Sequence, residues 1–122
     1  MQYAMLVYLN GTEFYALSKD EQNRIHRECA AWHDNLVRAG KSIGGNGLQP
    51  SSTAKTFRAA NGKPIIMDGP FAETKEIIAG FEIFEFVSTE EATSTIKSFP
   101  GFGCGTVVEL RPVVPNNQCA AV

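Results

Sequence analysis

Several features that mark common functional classes are missing from this sequence of 122 residues. Basic residues do not cluster, and the 11 Lys and Arg are outweighed by 13 Asp and Glu, which gives a net charge of -2. Direct binding of nucleic acid needs a basic patch, so we do not expect nucleic acid as a partner. Apolar runs stay short of the ~20 residues that a membrane-spanning helix requires. We therefore expect no membrane partner either.

Cysteine is scarce and shows neither a pairing pattern nor a metal pattern. Cys29, Cys104 and Cys119 are odd in number, widely spaced and free of any CxxC motif. Such cysteines are typical of reduced thiols in a cytoplasmic protein. No set of His, Cys and carboxylate residues has ligand spacing, so we expect no metal and no other cofactor. The first residues show no basic segment and no small-residue cleavage site, so we expect no signal peptide.

The length and the apolar fraction of 43% indicate one domain with a real core. We assign residues 1–114 to this domain and expect residues 115–122, which have no pattern, to form a flexible tail. Apolar or glycine-rich runs predict strands at 2–9, 41–48, 53–60, 63–67, 78–87 and 106–113. The first strand is expected to end at Asn10-Gly11-Thr12, where a turn is favoured.

Two capping boxes predict two helices. Ser18 and Glu21 fit the first box, and apolar residues spaced by four and three predict a helix over 19–39. Ser88 and Glu91 fit the second box, and Pro100 stops the helix that follows. The element order is therefore strand, helix, strand, hairpin, strand, helix, strand.

This order predicts an α+β fold. Without the hairpin, which Asn61-Gly62 would close, it is the βαββαβ pattern of ferredoxin-like folds. Two helices cover only one face of the resulting sheet. The strands at 2–9 and 81–87 are nevertheless apolar on both faces, and a soluble monomer rarely exposes a patch of that size. We therefore expect a homodimer in which each copy covers the open face of the other.

A charged turn stands between two apolar runs in the middle of the chain. Asp68-Gly69-Pro70 cannot continue a strand, because proline lacks an N–H and glycine opens unusual backbone conformations. Residues 68–76, here called the DGPF segment, carry four ionisable side chains, namely Asp68, Glu73, Lys75 and Glu76. Loops between rigid strands often carry functional residues, so this segment is the first candidate site.

The DGPF segment reads DGPFAETKE and resembles the signature of the YCII-related family, in the branch called DGPF-domain proteins. The resemblance also takes in the opening strand, Leu17-Ser18, Gly44-Gly45, Leu48-Gln49-Pro50 and residues 109–113. It implies a ferredoxin-like α+β fold that dimerises into an α+β barrel. The biochemical function of the family is poorly defined, so the resemblance implies a fold rather than a reaction.

Asp68 and His33 are the candidate catalytic residues. Asp68 ends a strand that would direct its carboxylate, although it could instead accept hydrogen bonds within the turn. His33 and His26 lie seven residues apart on the first helix, and histidine titrates near neutral pH. The alternative for both histidines is a partly exposed place at the edge of the apolar stripe. Related YCII-like proteins carry a His–Asp pair, but no motif assigns either histidine to it.

Five further residues are candidates for ligand binding, namely Tyr8, Phe71, Lys75, Glu82 and Arg111. Lys75 could pair with Asp68 or a neighbouring glutamate and hold that carboxylate charged. Phe71 could form an apolar wall, and neighbouring strands could turn Tyr8 and Glu82 toward one cleft. Arg111 could bind an anionic group of a ligand, or it could pair with Glu109, with Glu82 or with the partner chain.

Two functions follow from these residues. The first is binding of a small molecule, with acid–base chemistry on it, in a cleft beside the DGPF segment. The second is a non-catalytic ligand-binding or regulatory protein-interaction module. The resemblance supports the second function because related proteins are associated with alternative sigma factors.

Overall fold

The structure is a computed structural model and describes residues 1–103 and 105–115. The expectations for Cys104, for Cys119 and for the tail after residue 115 lie outside this range. Within it, no helix combines the length and the apolarity that crossing a membrane would require.

Six strands, three α-helices and one 3₁₀ turn make up the described chain. The strands are β1 (Gln2–Asn10), β2 (Ser42–Gly47), β3 (Lys55–Ala60), β4 (Lys63–Asp68), β5 (Glu76–Glu85) and β6 (Val107–Pro112). The helices are α1 (Gly11–Tyr15), α2 (Lys19–Arg38) and α3 (Thr89–Lys97), and the 3₁₀ turn is Ser51–Thr53. Four strands form an antiparallel sheet in the order β2-β5-β1-β6. This is the ferredoxin-like α+β arrangement that the element order predicts.

Side-chain caps decide where the helices begin. The Glu21 N–H donates to Ser18 Oγ and the Glu91 N–H donates to Ser88 Oγ, both at 3.1 Å. The two predicted helix starts are therefore confirmed. The short helix α1 was not predicted, because Asn10 reads as a turn residue at the end of a strand. Its side chain instead accepts from the Glu13 N–H and caps α1.

The core lies on one face of the sheet, under α2 and α3. Its buried residues are Tyr3 and Met5 from β1, Phe84 from β5, Phe86 just after β5, and Ala92 from α3. Trp32 of α2 packs edge-on against Phe84, with ring centroids 5.9 Å apart. Its indole N–H donates to Ser98 Oγ at 2.9 Å, so the ring is fixed at both ends. We call this face of the sheet the helix face.

No described helix covers the opposite face, which we call the open face. The register places Leu6 of β1 between Phe81 of β5 and Glu109 of β6, and Tyr8 beside Val107. Phe81 and Val107 are exposed, and Leu6 and Tyr8 are only half-buried. The prediction that β1 and β5 are apolar on both faces is therefore confirmed, and only one of these faces is covered within the chain.

Strands β3 and β4 form a separate two-stranded antiparallel sheet. Asn61 and Gly62 close it with φ values of 50° and 76°, the left-handed conformation that favours Asn-Gly in tight hairpins. Phe57 and Ile66 pair across this hairpin and are both largely exposed. The hairpin is thus a projection with little core of its own.

Candidate functional site

A strip of glycine backbone lies where β2 pairs with β5. A bulge between Ser42 and Gly44 shifts the register, which places Gly45 opposite Glu82 and Gly47 opposite Gly80. Because Glu82 lies on the helix face, the alternation of strands brings Gly45, Gly47 and Gly80 to that face as well. We call these three residues the glycine floor. It is a part of the sheet without side chains, directly beside a carboxylate.

Gly45 is required at its position by close packing. A Cβ at residue 45 would lie 2.3 Å from the Phe81 carbonyl oxygen and 2.7 Å from Glu82 Cα. No other residue type fits this approach of two backbones unless a strand moves. The glycine-rich strand predicted at 41–48 is therefore confirmed, and its bulge aims Ser42 toward the helix face, where Ser42 is buried.

Glu82 is the centre of a polar cluster on the helix face. It is only 7% exposed, and its Oε1 accepts a hydrogen bond from Ser42 Oγ at 2.8 Å. His33 of α2 approaches the same Oε1 through Nδ1. When the Glu82 carboxylate is ionised it can only accept, so His33 then donates from Nδ1 and keeps a free lone pair on Nε2. A buried carboxylate with two donors is held in one orientation.

A cavity of about 620 Å³ opens between α2 and the sheet at this cluster. His33 and Glu82 lie in its wall, and the glycine floor lies at its base. Apolar and aromatic residues form much of the remaining lining, namely Val7, Leu9, Phe14, Trp32 and Phe99, and Lys19, Gln22 and Gln49 add further polar groups. A volume of this size, with a few convergent polar groups in an apolar lining, is typical of small-molecule sites. We call it the helix-side cavity.

Comparison with known proteins agrees with the architecture. The family model for the YCII-related domain matches residues 1–117. The chain belongs to the YCII-related family. It is 37% identical over 114 residues to an uncharacterised protein of Rhizobium meliloti (strain 1021), a match that spans 93% of this chain and 92% of the relative.

The fold of this YCII-related protein is also found in a solved structure. It is similar to 5-chloro-2-hydroxyhydroquinone dehydrochlorinase from Burkholderia phenoliruptrix AC1100, solved in complex with 2,5-dihydroxybenzoquinone. The TM-score is 0.50 and the sequence identity is 18%, with 89% of this chain and 91% of the other chain covered. At that identity the likeness concerns the fold alone.

Of the two candidate catalytic residues, only His33 lies in the helix-side cavity. Asp68 ends β4 on the hairpin, and its side chain is 89% exposed. Its carboxylate accepts from Lys55 Nζ at 2.7 Å, a pairing that the sequence did not predict. Asp68 lines neither the helix-side cavity nor the cavity beside the DGPF segment. In this YCII-related protein the hairpin thus carries Asp68 into solvent, away from His33.

Three candidate ligand-binding residues line a second cavity of about 750 Å³, beside the DGPF segment. They are Tyr8, Phe71 and Lys75. Phe71 is 75% exposed, so it forms a rim rather than a buried wall. The sequence left open a pairing of Lys75 with Asp68 or a neighbouring glutamate, and none of the ion pairs among the described residues involves Lys75. The two cavities share residues 48–50, Ile77 and Ile78, so they meet at the end of β2.

Arg111 and Glu109 form an ion pair on the open face. The Arg111 guanidinium donates twice to Glu109 Oε2, at 2.9 and 3.0 Å, and this pairing lowers the pKa of the Glu109 carboxyl. Tyr8 shares the same carboxylate, and their hydrogen bond raises the pKa of the Tyr8 phenol. Of the alternatives for Arg111, the structure has the pairing with Glu109. Tyr8 and Glu82 lie on opposite faces of the sheet and do not share a cleft.

Cys29 and His26 are among the other residues of α2 that line the helix-side cavity. Burial raises the pKa of the Cys29 thiol, which keeps it protonated and unreactive at neutral pH. The His26 ring packs edge-on against Phe14, with centroids 5.6 Å apart. Within residues 1–103 and 105–115, no three His, Cys, Asp or Glu residues are placed to hold a metal ion.

Sequence reasoning missed the pairing of His33 with Glu82 and the role of Ser42. A signal for Glu82 was present, because a glutamate interrupts an otherwise apolar strand and must find partners when it is buried. Nothing in the sequence reveals that residues 33, 42 and 82 meet, since that contact depends on how α2 crosses β5 and on the bulge in β2.

Proposed function

We propose that this YCII-related protein binds a small molecule in the helix-side cavity and that His33 acts there as an acid–base catalyst. The observation that carries the proposal is the contact of His33 Nδ1 with the buried Glu82 carboxylate, at the wall of a largely apolar cavity. In this proposal His33 has the acid–base role, and Asp68, which is exposed and paired with Lys55, takes no part in the reaction. The DGPF segment, with Lys75 and Tyr8, would contact any part of the ligand that extends into the second cavity.

The chemistry follows from the tautomer of His33. With its Nδ1–H bonded to Glu82, the imidazole can take a proton from a substrate at Nε2, and the Glu82 carboxylate stabilises the imidazolium that forms. Returning the proton to another atom of the same substrate completes an isomerisation. Returning it to a leaving group completes an elimination. Ser42 keeps the carboxylate turned toward His33 and needs no contact with the substrate.

Exchange of substrate hydrogen with solvent tests this role before the full reaction is known. The protein is incubated in D₂O with small carbonyl compounds and hydroxylated rings, and ¹H NMR follows the loss of their C–H signals. We include 2,5-dihydroxybenzoquinone because the dehydrochlorinase of the same fold binds it. We expect at least one compound to exchange faster with protein, and His33→Gln to lower that rate by about 10²–10⁴-fold.

His26→Gln is the matched control, because His26 lies on the same helix and lines the same cavity but contacts a phenyl ring instead of a carboxylate. Its exchange rate should stay within a small factor of the original. Equal losses in the two variants, or no catalysed exchange of any compound, would argue against His33 as the base.

We further propose that the protein is a homodimer that buries the open face. Support comes from Phe81 of β5 and Val107 of the edge strand β6, which are exposed on a face of the sheet that lacks a second layer in the described chain. Two-fold pairing of identical faces is the simplest way to cover them. Sedimentation equilibrium should give twice the chain mass of 13.3 kDa. Phe81→Asp should reduce that value to one chain mass, and a single-chain mass for the unmodified protein would end the dimer proposal.

A further inference from the structure

We infer that the glycine floor selects ligands that contain a planar ring, and that Gly47 is a specificity-determining residue of the helix-side cavity. The inference deepens the proposed function, on which it rests for the site that the ligand occupies. It assigns a ligand class to that site, namely a flat ring with a hydroxyl or keto group at its edge.

The backbone does not require glycine at position 47. A Cβ at residue 47 would meet only the Ala79 carbonyl oxygen, at 3.8 Å, which is an ordinary contact. The φ of Gly47 lies outside the left-handed region that favours glycine. Gly45 differs, because the adjacent strand excludes any side chain there, and a Cβ at Gly80 would come within 3.2 Å of the Asn46 carbonyl oxygen. Position 47 could therefore hold a side chain, and that side chain would occupy the cavity.

The glycine floor offers a ligand backbone without side chains. Residues 45, 47 and 80 have no Cβ atoms that would project into the cavity, and Val7 and Leu9 continue the surface with apolar side chains. A planar ring can lie face down on such a surface and reach van der Waals distance over its whole area. A saturated ring is puckered and carries axial hydrogens, so it touches the same surface at only a few points.

The His33–Glu82 pair determines which chemical group the ligand carries at its edge. Glu82 is paired with Gly45 across the strands, so a ring on the glycine floor has one edge beside the His33–Glu82 pair. A hydroxyl or keto group at that edge would satisfy His33 Nε2, either by donating a hydrogen bond to it or by accepting one from its protonated form. Ala30 of α2, which lines the cavity opposite the sheet, leaves room for the second face of the ring.

Fluorescence of Trp32 provides a direct measurement of binding, because it is the only tryptophan of the chain and lines this cavity. Hydroquinone and cyclohexane-1,4-diol are titrated as a planar and a saturated ring with the same hydroxyl spacing along the ring. Competition with hydroquinone reports the binding of the non-absorbing diol. We expect hydroquinone to bind at least about tenfold more tightly, and Gly47→Ala to weaken hydroquinone by about tenfold or more.

Gly11→Ala is the control, because it also adds one methyl group at a glycine without strain but lies in α1, outside the lining of the cavity. It should leave both affinities unchanged. Thermal unfolding of both variants verifies that the fold is retained. Equal binding of the two rings, unchanged hydroquinone affinity in Gly47→Ala, or no hydroquinone binding at all would overturn the inference.

The two proposals can fail separately. If His33→Gln abolishes hydrogen exchange while Gly47→Ala leaves ring selectivity intact, the glycine floor has no selective role and the acid–base role stands. If ring selectivity follows Gly47 but no exchange is catalysed, the cavity is a binding site for planar rings and His33 is not a base.

Discussion

The helix face and the hairpin of this protein both carry large apolar side chains, but these side chains are buried on the helix face and exposed on the hairpin. On the helix face Phe84 is 0% exposed, and aromatic rings of both layers contact it or its neighbours. On the hairpin Phe57 is 65% exposed, and the carboxylate of Asp68 accepts from the exposed Lys55. Polar groups follow the same division. The carboxylate of Glu82 is buried, oriented and placed beside a cavity, whereas that of Asp68 is screened by water.

The comparison shows that charge density in a sequence is a poor guide to which carboxylate the fold buries and orients. The DGPF segment concentrates ionisable residues, yet two of them, Glu73 and Glu76, are exposed like Asp68 and have no ion pair among those of the described residues. The helix face has few charges, and burial makes each of them require a partner. Glu82, which lies in the region with few charges, is therefore the carboxylate that is held in a fixed orientation.

The largest effect is expected from Phe84→Ala. The ring is fully buried between Phe86 and Trp32, so its removal leaves a cavity that the rigid sheet cannot close. We expect a loss of about 3–5 kcal/mol in the free energy of unfolding. Urea unfolding followed by circular dichroism measures it. A loss below about 1 kcal/mol would mean that this face is not the core.

Gly45→Ala should have the next largest effect. The added methyl group collides with the backbone of β5 at 2.3 Å, so β2 must move away from Glu82. We expect a loss of about 1–3 kcal/mol, as for overpacked interiors. In ¹H–¹⁵N NMR spectra the His33 ring signals should shift as well, because the register of β2 holds Ser42 on Glu82. Gly47→Ala, with no such collision, is the matched comparison and should be near neutral.

A smaller, pH-dependent effect is expected where the helix layer meets the edge of the sheet. Lys41, just before β2, donates to Glu91 of α3 at 2.5 Å, and this bond, together with that from the Val87 N–H, lowers the pKa of Glu91 below its ordinary value of 4.5. A lowered folded-state pKa stabilises the protein above the ordinary value and ceases to do so as the pH falls through the folded-state value.

Glu91→Gln should therefore lower the midpoint of thermal unfolding at pH 7, and the difference from the unmodified protein should disappear as the pH is lowered below 4.5. Differential scanning calorimetry at several pH values measures this difference. Glu90→Gln, in the same turn of α3 but outside the hydrogen bonds and ion pairs of the described residues, is the control. A difference between proteins that stays constant down to pH 2 would contradict the pairing.

The smallest effect should come from Phe57→Ala, the same kind of truncation as Phe84→Ala in the other region. Because the ring is mostly in water already, we expect a change in unfolding free energy within about 0.5 kcal/mol. Urea unfolding at low protein concentration is the measurement. A loss comparable to that of Phe84→Ala would show that Phe57 is buried in solution, and the hairpin would then not differ from the helix face in burial.

Much of the fold was predictable because it depends on local rules. The capping residues Ser18 and Ser88 and the spacing of apolar side chains set the helices, and the alternation of helix and strand restricts the topology to few choices. Helix α1 escaped prediction because its cap, Asn10, also fits a turn. The site was only partly predictable: His33 and Glu82 were named separately, with no reason to join them.

The sequence by itself determined all six strands, the two long helices, the apolar character of both faces of β1 and β5, and the tight turn at Asn61-Gly62, since each follows from residues close together in the chain. Only the tertiary structure decided that Glu82, rather than Asp68, is the carboxylate beside a histidine. The reason is physical: His33, Ser42 and Glu82 are up to 49 residues apart, and they meet only after α2 packs on the sheet and the bulge in β2 sets its register. Once Glu82 is buried, its hydrogen bond with Ser42 and its contact with His33 hold the carboxylate in one orientation.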